Sequence, residues 1–292
     1  MKLSIIITLF NRKSLALRAI KSCISLTLPK NSFEIIIIDD GSTDEPLSVL
    51  SSYIDNSFIK YFYQDNKGAA SAKNLGANYS SGDYILYLDS DDYFYSSDCL
   101  DELYQLIDTN PDLIFSEKII IKKNSELSEK YTPYNNENIY DYILKYPLNY
   151  PGKPSYVFSR ALFISKGGFN EKHKWGDALL FWRVYLNPDS KISIMKKINY
   201  VYDQSNNDGV SRYIDKEYYH RVFNTIHDTY QIKSNELIER GYSHNWMIIL
   251  FFLSLKTKKY GNSIKILFYL LKSPFRTYVS LIYIYNKRKN RG

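Results

Sequence analysis

Cysteine is nearly missing from this chain: Cys23 and Cys99 are the two among 292 residues, and no metal-ligand spacing surrounds either. Neither a disulfide scaffold nor a thiolate metal site fits. Histidine is scarce, and His173, His220, His227 and His244 match no zinc spacing. Crossing a bilayer takes roughly 20 consecutive apolar residues, and the best run here, Met247 to Leu255, falls far short. No basic, apolar and small-residue leader precedes the first strand-like run, which begins at residue 3. These absences predict a cytoplasmic protein with free thiols that does not span a membrane. No internal repeat or low-complexity linker interrupts the chain.

Acidic residues are absent from Gly241 onward, where ten lysines and arginines remain: Lys256, Lys258, Lys259, Lys265, Lys272, Arg276, Lys287, Arg288, Lys289 and Arg291. Subtracting those ten from the net charge of +7 leaves −3 for the rest, so the two ends differ electrostatically. Aromatics are abundant at 16%, with 29 tyrosines. A lysine-, asparagine- and tyrosine-rich coding bias accounts for that, and so does a surface that stacks on sugars or lies at a lipid interface.

Leu3 to Thr8 and Phe33 to Ile38 are β-branched runs of the kind a strand buried on both faces requires. Ile59 to Tyr63 and Tyr84 to Leu88 read as further strands, with helices over Ser14 to Leu26 and Ala69 to Ser80. Alternating strands and helices predict an α/β fold, a mostly parallel sheet with helices on both faces. The middle mixes strands at Leu113 to Ile121, Tyr156 to Ser159 and Ile192 to Lys196 with helices near Tyr140 and Leu179. From Asp215 the pattern turns helical, near Glu217 to Arg240, Asn245 to Leu255, Ser263 to Leu271 and Tyr278 to Tyr285.

The polar clusters stand just past strand ends, where ligands bind in open α/β sheets. Asp89-Ser90-Asp91 follows one strand directly, and two carboxylates so spaced can hold Mn2+ or Mg2+ against phosphate oxygens. A lone acidic turn more often caps a helix. Asp39-Asp40-Gly41-Ser42-Thr43-Asp44 ends another strand; Gly41 permits the turn, and Ser42 or Asp44 can cap the helix that follows. Capping does not explain two consecutive acids after four isoleucines; a carboxylate there can accept from a nucleobase N–H or ribose hydroxyls.

Four blocks in order resemble the family-two inverting glycosyltransferases of GT-A fold: Ser4 through Arg12, Ile37 through Asp44, Asn66-Lys67-Gly68 through Gly76, and Leu88 through Asp92. The resemblance is tight to about residue 115 and looser to about Ser211. It implies a GT-A domain over 1–212, with a nucleotide-sugar half to about 115 and an acceptor half from 116, then a basic helical region over 213–292. It implies a donor site of Thr8, Phe10, Arg12, Asp39, Asp40, Gly68, Lys73, Asp89 and Ser90, with Asp91 and Asp89 on the metal and a nucleoside-diphosphate sugar, foremost a UDP-sugar, as donor. Lys73 stands where the family usually has arginine, which keeps the charge and loses the fork. Gly167-Gly168-Phe169-Asn170-Glu171 resembles the family's Gly-Gly-Phe-x-Glu loop. Beyond it Asp177 takes the base position, with Gly176 in place of the usual glutamate.

The family's processive members carry Gln-x-x-Arg-Trp, absent here, which favours transfer of a single sugar. Relatives often place a histidine near residues 203 to 208; Tyr202-Asp203-Gln204-Ser205-Asn206 has none. The basic tail implies peripheral association with an anionic membrane, at the inner face of the plasma membrane. That suits a glycan or lipid-linked glycan acceptor in bacterial surface-polysaccharide assembly. No nucleic-acid-binding module accompanies the charge, so nucleic acid is not an expected partner. A dinucleotide-binding dehydrogenase fails for want of G-x-G-x-x-G. The rival reading is a non-catalytic nucleotide-sugar-binding or membrane-adaptor protein that retains the fold.

Overall fold

A computed structural model describes residues 2–55, 57–116, 118–123, 126–131, 139–145, 156–171, 180, 184, 187, 189–197, 200–205 and 216–271. The chain divides into two compact units, Met1–Asn136 with Pro151–Asn207, and Glu137–Tyr150 with Asp208–Gly292.

The first unit opens with strand β1 (Leu3–Leu9), helix α1 (Lys13–Ile24), strand β2 (Phe33–Asp40), the short helix α2 (Leu47–Leu50) and strand β3 (Ile59–Gln64). Helix α3 (Ala69–Tyr79), strands β4 (Tyr84–Asp89) and β5 (Tyr93–Phe94) and helix α4 (Asp101–Ile107) follow. Strands β6 (Leu113–Ser116), β7 (Lys118–Lys123) and β8 (Glu126–Tyr131) precede α5 (Ile139–Lys145), which belongs to the second unit. The first unit resumes with β9 (Tyr156–Ser159), α6 (Arg160–Ser165), β10 (Ile192–Met195) and β11 (Tyr200–Asp203).

Seven strands form one sheet in the order β10-β6-β9-β4-β1-β2-β3. Its pairings are parallel except around β9, which runs antiparallel to both β4 and β6. All eight residues of β2 are buried, as a strand covered on both faces must be. The two-residue period sorts the isoleucines: Ile5, Ile7, Ile35 and Ile37 join Ala16, Ala19, Ile20 and Cys23 of α1 in one cluster. Ile6 and Ile38 face the other way, toward α3, where a Cβ on Gly76 would lie 2.4 Å from Ile6 Cγ2. Each such buried side chain contributes about 1.5–3 kcal/mol. The α/β architecture with helices on both faces is as expected. Both cysteines are buried and unpaired by disulfide, and burial pushes their thiol pKa values up.

The sheet's amino edge is tied by a buried charge. Glu34 accepts from Ser4 Oγ at 2.7 Å, Lys60 Nζ at 2.7 Å, and Ser81 N and Oγ at 2.6 and 2.8 Å. Burial alone raises its pKa; these partners outweigh that and hold the carboxyl below the ordinary glutamate range.

A second, four-stranded sheet runs β5-β11-β7-β8. The run expected as one strand over Leu113 to Ile121 is in fact two strands in different sheets. Polar Ser116-Glu117-Lys118 interrupts the apolar run, and β6 is buried throughout whereas β7 carries lysines at both ends.

The second unit contains α7 (Lys216–Glu239), α8 (Ser243–Lys256) and α9 (Tyr260–Leu271) beside α5. Trp246 is fully buried and donates to the Leu144 carbonyl, and Ser254 and Ser263 hydroxyls join α8 to α9 at 2.6 Å. Phe252, Leu255, Ile264, Leu267 and Leu271 are exposed on α8 and α9. Among the described residues, no helix is long and apolar enough to cross a membrane. The helix expected over Tyr278 to Tyr285, and most of the one near Leu179, lie outside the described residues.

Candidate active site

Parallel register sets the site. Thr8 pairs with Ile38 and Asp89, Leu9 with Asp39, and Asp39 with Tyr63, so β1, β2, β3 and β4 end together. The chain moves from β1 to β2 on one side while β4 lies on the other, the switch point at which a ligand crevice opens in such sheets.

The loops beyond that edge are laced to one another. Asn11 adopts φ 52°, a conformation asparagine tolerates. Its N–H donates to Ser42 Oγ at 2.9 Å and its Oδ1 accepts from Thr43 N at 2.7 Å. Asp44 Oδ2 accepts from Lys13 N at 2.9 Å, so Asp44 caps α1 and not the following helix as expected. Arg12 precedes α1 and makes no side-chain cap, and the carboxylate from the neighbouring loop satisfies that terminus instead. Phe10 is 45% exposed at the start of this loop.

Asp39 Oδ1 accepts from Ser42 N at 2.8 Å and Oδ2 accepts from Tyr61 OH. Burial and the adjacent Asp39 charge push the Tyr61 hydroxyl's pKa up. Asp40 accepts from Gln64 Nε2 at 2.6 Å, Lys67 N at 2.9 Å and Gly68 N at 2.8 Å. Asp40 thus shapes the entry to α3, whose own N-cap, Gly68, offers no capping side chain; spacing alone did not reveal this role. Gly41, at φ 80°, leaves no room for a side chain, since a Cβ would stand 2.7 Å from Asn66 N.

The acidic turn after β4 meets two cations. Arg12 Nη1 lies 2.7 Å from Asp91 Oδ2, and Lys73 Nζ lies 2.8 Å from Asp89 Oδ1. Surrounding protein raises the Asp89 pKa, and Lys73, with Arg12 beyond it, lowers it by more, so the carboxyl is held below its ordinary value. Ser90 is buried in the turn. Asp92 is buried too; burial, then the charges of Asp89 and Asp91, push its carboxyl well up. Its Oδ1 accepts from Asp203 N at 2.9 Å.

Asp203 sits within the segment where the family often offers histidine. Its Oδ2 lies 2.8 Å from Arg18 Nη1 and 3.1 Å from Lys122 Nζ, while Arg18 also donates to the Asp91 carbonyl. Burial opposes its ionisation, but bonds from Ser205 and these cations hold its pKa at about 2. Arg18, Lys122 and Asp203 were not among the expected site residues.

Asn74, next to Lys73, clamps the Gly-Gly-Phe loop. Its Nδ2 donates to the Phe169 carbonyl at 2.9 Å and Glu171 Oε1 at 2.8 Å, and its Oδ1 accepts from Phe169 N at 2.8 Å. The chain thereby gathers Thr8, Phe10, Arg12, Asp39, Asp40, Gly68, Lys73, Asp89, Ser90 and Asp91 at one edge. Asp177, Gly176 and His173 lie outside the described residues.

Asp89 and Asp91 supply the oxygen donors that a hard divalent cation prefers. Among the described residues no three or more His, Cys, Asp or Glu gather as a metal cluster. The pair fits Mn2+ or Mg2+ completing its shell with phosphate and water.

A mostly parallel sheet with an acidic turn after β4 and cations facing that turn, at the edge where such sheets take ligands, fits the GT-A class of fold. The chain belongs to glycosyl transferase family 2, whose family model matches residues 4–167. It is 47% identical over 94 residues to an uncharacterized glycosyltransferase of Rickettsia conorii, covering 32% of this chain and 15% of that one. It is 30% identical over 241 residues to the GalNAc(5)-diNAcBac-PP-undecaprenol beta-1,3-glucosyltransferase of Campylobacter jejuni, covering 81% of this chain and 75% of the relative. Matches to the first relatives span only 13% to 36% of their length. In fold it resembles residues 1–349 of TarS from S. aureus in complex with UDP-GlcNAc, with TM-score 0.62 and 18% identity, covering 91% of this chain and 89% of that 1–349 segment.

Replacing Asn74 with alanine removes the clamp while leaving the strands intact. Amide hydrogen exchange across Gly168–Glu171 is expected to rise about fivefold to a hundredfold, as for loss of roughly 1–3 kcal/mol of local hydrogen bonding, with β4 unchanged. Equal protection in wild type and variant would show that the loop is held by other contacts.

Proposed function

We propose that this chain is an inverting glycosyltransferase that moves one sugar from a UDP-sugar to a hydroxyl of a glycan or lipid-linked glycan in surface-polysaccharide assembly. The observation that carries this reading is the convergence of Asp39, Asp89, Asp91, Arg12 and Lys73 on one sheet edge. The undecaprenol-linked substrate in the Campylobacter relative's name supports the acceptor class, and the UDP-GlcNAc held by TarS supports the donor class.

Asp39 accepts two protein hydrogen bonds, and a carboxylate offers about four acceptor positions, so capacity remains for uracil or ribose. Thr8 and Phe10 border the base, and Asp40 with Gly68 and Ser90 shapes the pocket walls. Asp89 and Asp91 would hold Mn2+ or Mg2+, which when bound supplies positive charge against the diphosphate leaving group. Arg12 and Lys73 add fixed cations where negative charge develops. Asp177 takes the proton from the acceptor hydroxyl as its oxygen attacks the anomeric carbon. The bond from that carbon to the UDP oxygen breaks on the opposite side, and the configuration inverts without a covalent enzyme intermediate.

The second unit is proposed to lie against an anionic leaflet. Exposed Ile264, Leu267 and Leu271 fall on one face of α9, near Lys256, Lys258, Lys259 and Lys265 in a stretch without acids. Attraction to anionic lipid contributes about 1 kcal/mol per cation near the surface.

Substituting Asp177 by asparagine is expected to lower UDP release from UDP-sugars with a polyprenol-diphosphate-linked glycan acceptor by about 10²–10⁴-fold, with donor affinity retained. Product NMR should show the anomer opposite to the donor's. Unchanged turnover would remove Asp177 as the base, and a retained anomer would remove inversion. For the membrane reading, co-sedimentation with vesicles should require anionic lipid and weaken in Leu267→Glu with Leu271→Glu. Indifference to lipid charge would refute it.

A further inference from the structure

Arg12 and Lys73 are not merely near the acid pair: each holds one of its carboxylates directly. The contacts are 2.7 Å from Arg12 Nη1 to Asp91 Oδ2 and 2.8 Å from Lys73 Nζ to Asp89 Oδ1. The Arg12 and Asp91 side chains are 19% and 16% exposed, so water and salt screen that pair less than an ordinary surface one, while Lys73, 15% exposed, meets an Asp89 that is 46% exposed. Any cation that takes Asp89 and Asp91 meets two positive groups already on their oxygens.

We infer that Arg12 and Lys73 are exchangeable counter-ions, which neutralise the two carboxylates a divalent cation needs and release them when a diphosphate draws both side chains to itself. This rests on the proposed donor site and assigns these residues a role in coupling its two ligands.

The charge balance argues for exchange. Two carboxylates and two protein cations sum to zero, so a divalent cation alone leaves an excess of two positive charges. A nucleoside diphosphate alone meets two carboxylates competing for the same cations. The two diphosphate charges of a nucleotide sugar cancel that excess when both ligands are bound, and the further charge of a free diphosphate more than offsets it. No third acid or histidine joins the pair as a metal cluster among the described residues to strengthen cation binding on its own.

The backbone permits side-chain exchange without moving the site. The Arg12 carbonyl accepts from Ala16 N at 2.9 Å, and Asn11 beside it is fixed to the Ser42-Thr43 loop. Lys73 stands on α3, whose entry Asp40 pins through Lys67 and Gly68. Only the long, flexible ends need travel. The Arg12 fork matches phosphate geometry, and Lys73 offers a mobile point charge.

The test is Mn2+ binding to the full chain, followed by electron paramagnetic resonance, for wild type, Arg12→Gln and Lys73→Gln, each without and with saturating UDP. Without UDP both variants should bind Mn2+ about tenfold tighter than wild type, the scale of removing one nearby repulsive charge. UDP should tighten Mn2+ binding to wild type by about tenfold or more and to the variants by less, and by linkage Mn2+ should tighten UDP equally. Having both variants keeps the test decisive if one fails to fold. If UDP and Mn2+ bind wild type but neither variant binds Mn2+ more tightly alone, the counter-ion role is overturned and the donor site stands. If wild type binds neither ligand, the donor site itself falls and the inference with it.

Discussion

The parallel register of β1 between β2 and β4 is the constraint on which the candidate site depends. Isoleucines at alternating positions fill both faces of β1 and β2, one set against α1 and the other against α3. A one-residue slip would exchange the two sets and place Ile6 and Ile38 where α1 now packs. The same register ends three strands at one level, so Thr8, Asp39 and Asp89 emerge together. Burial within the sheet thus fixes the positions of charges outside it.

Those charges are compensated locally. Asp89 faces Lys73, Asp91 faces Arg12, and Asp203 faces Arg18 and Lys122. Removing one member of such a partly buried pair leaves its partner desolvated and unpaired, which is costly. The network also ties the acidic turn to the second sheet, through Asp92 and the backbone N–H of Asp203. A turn so anchored can keep its backbone in place while the Arg12 and Lys73 side chains exchange partners.

Much of this was legible in the sequence because strands buried on both faces announce themselves as β-branched runs, and the acids follow those runs directly. The residues that the four motif blocks single out fall on one edge of the sheet. What could not be read were partners distant in sequence. Asp44 capping α1, Asn74 clamping Phe169 and Asp203 joining Arg18 leave no trace in spacing, since each depends on loops meeting in space. The direction of β9, inserted antiparallel between β4 and β6, was equally hidden, because Tyr156 to Ser159 reads as a strand whichever way it runs. The division of Leu113 to Ile121 into two sheets had a faint signal in the polar break at Ser116-Glu117-Lys118.

The most direct measurement is thermal unfolding of wild type and Asp91→Ala with UDP, GDP and their sugars, with and without Mn2+. A ligand that binds only the folded chain stabilises it by about 2.7 kcal/mol at a hundred times its Kd. The account predicts a Mn2+-dependent rise in Tm with uridine nucleotides that is lost in the variant. No rise with any nucleotide in folded wild-type protein, or an equal rise in Asp91→Ala, would contradict it.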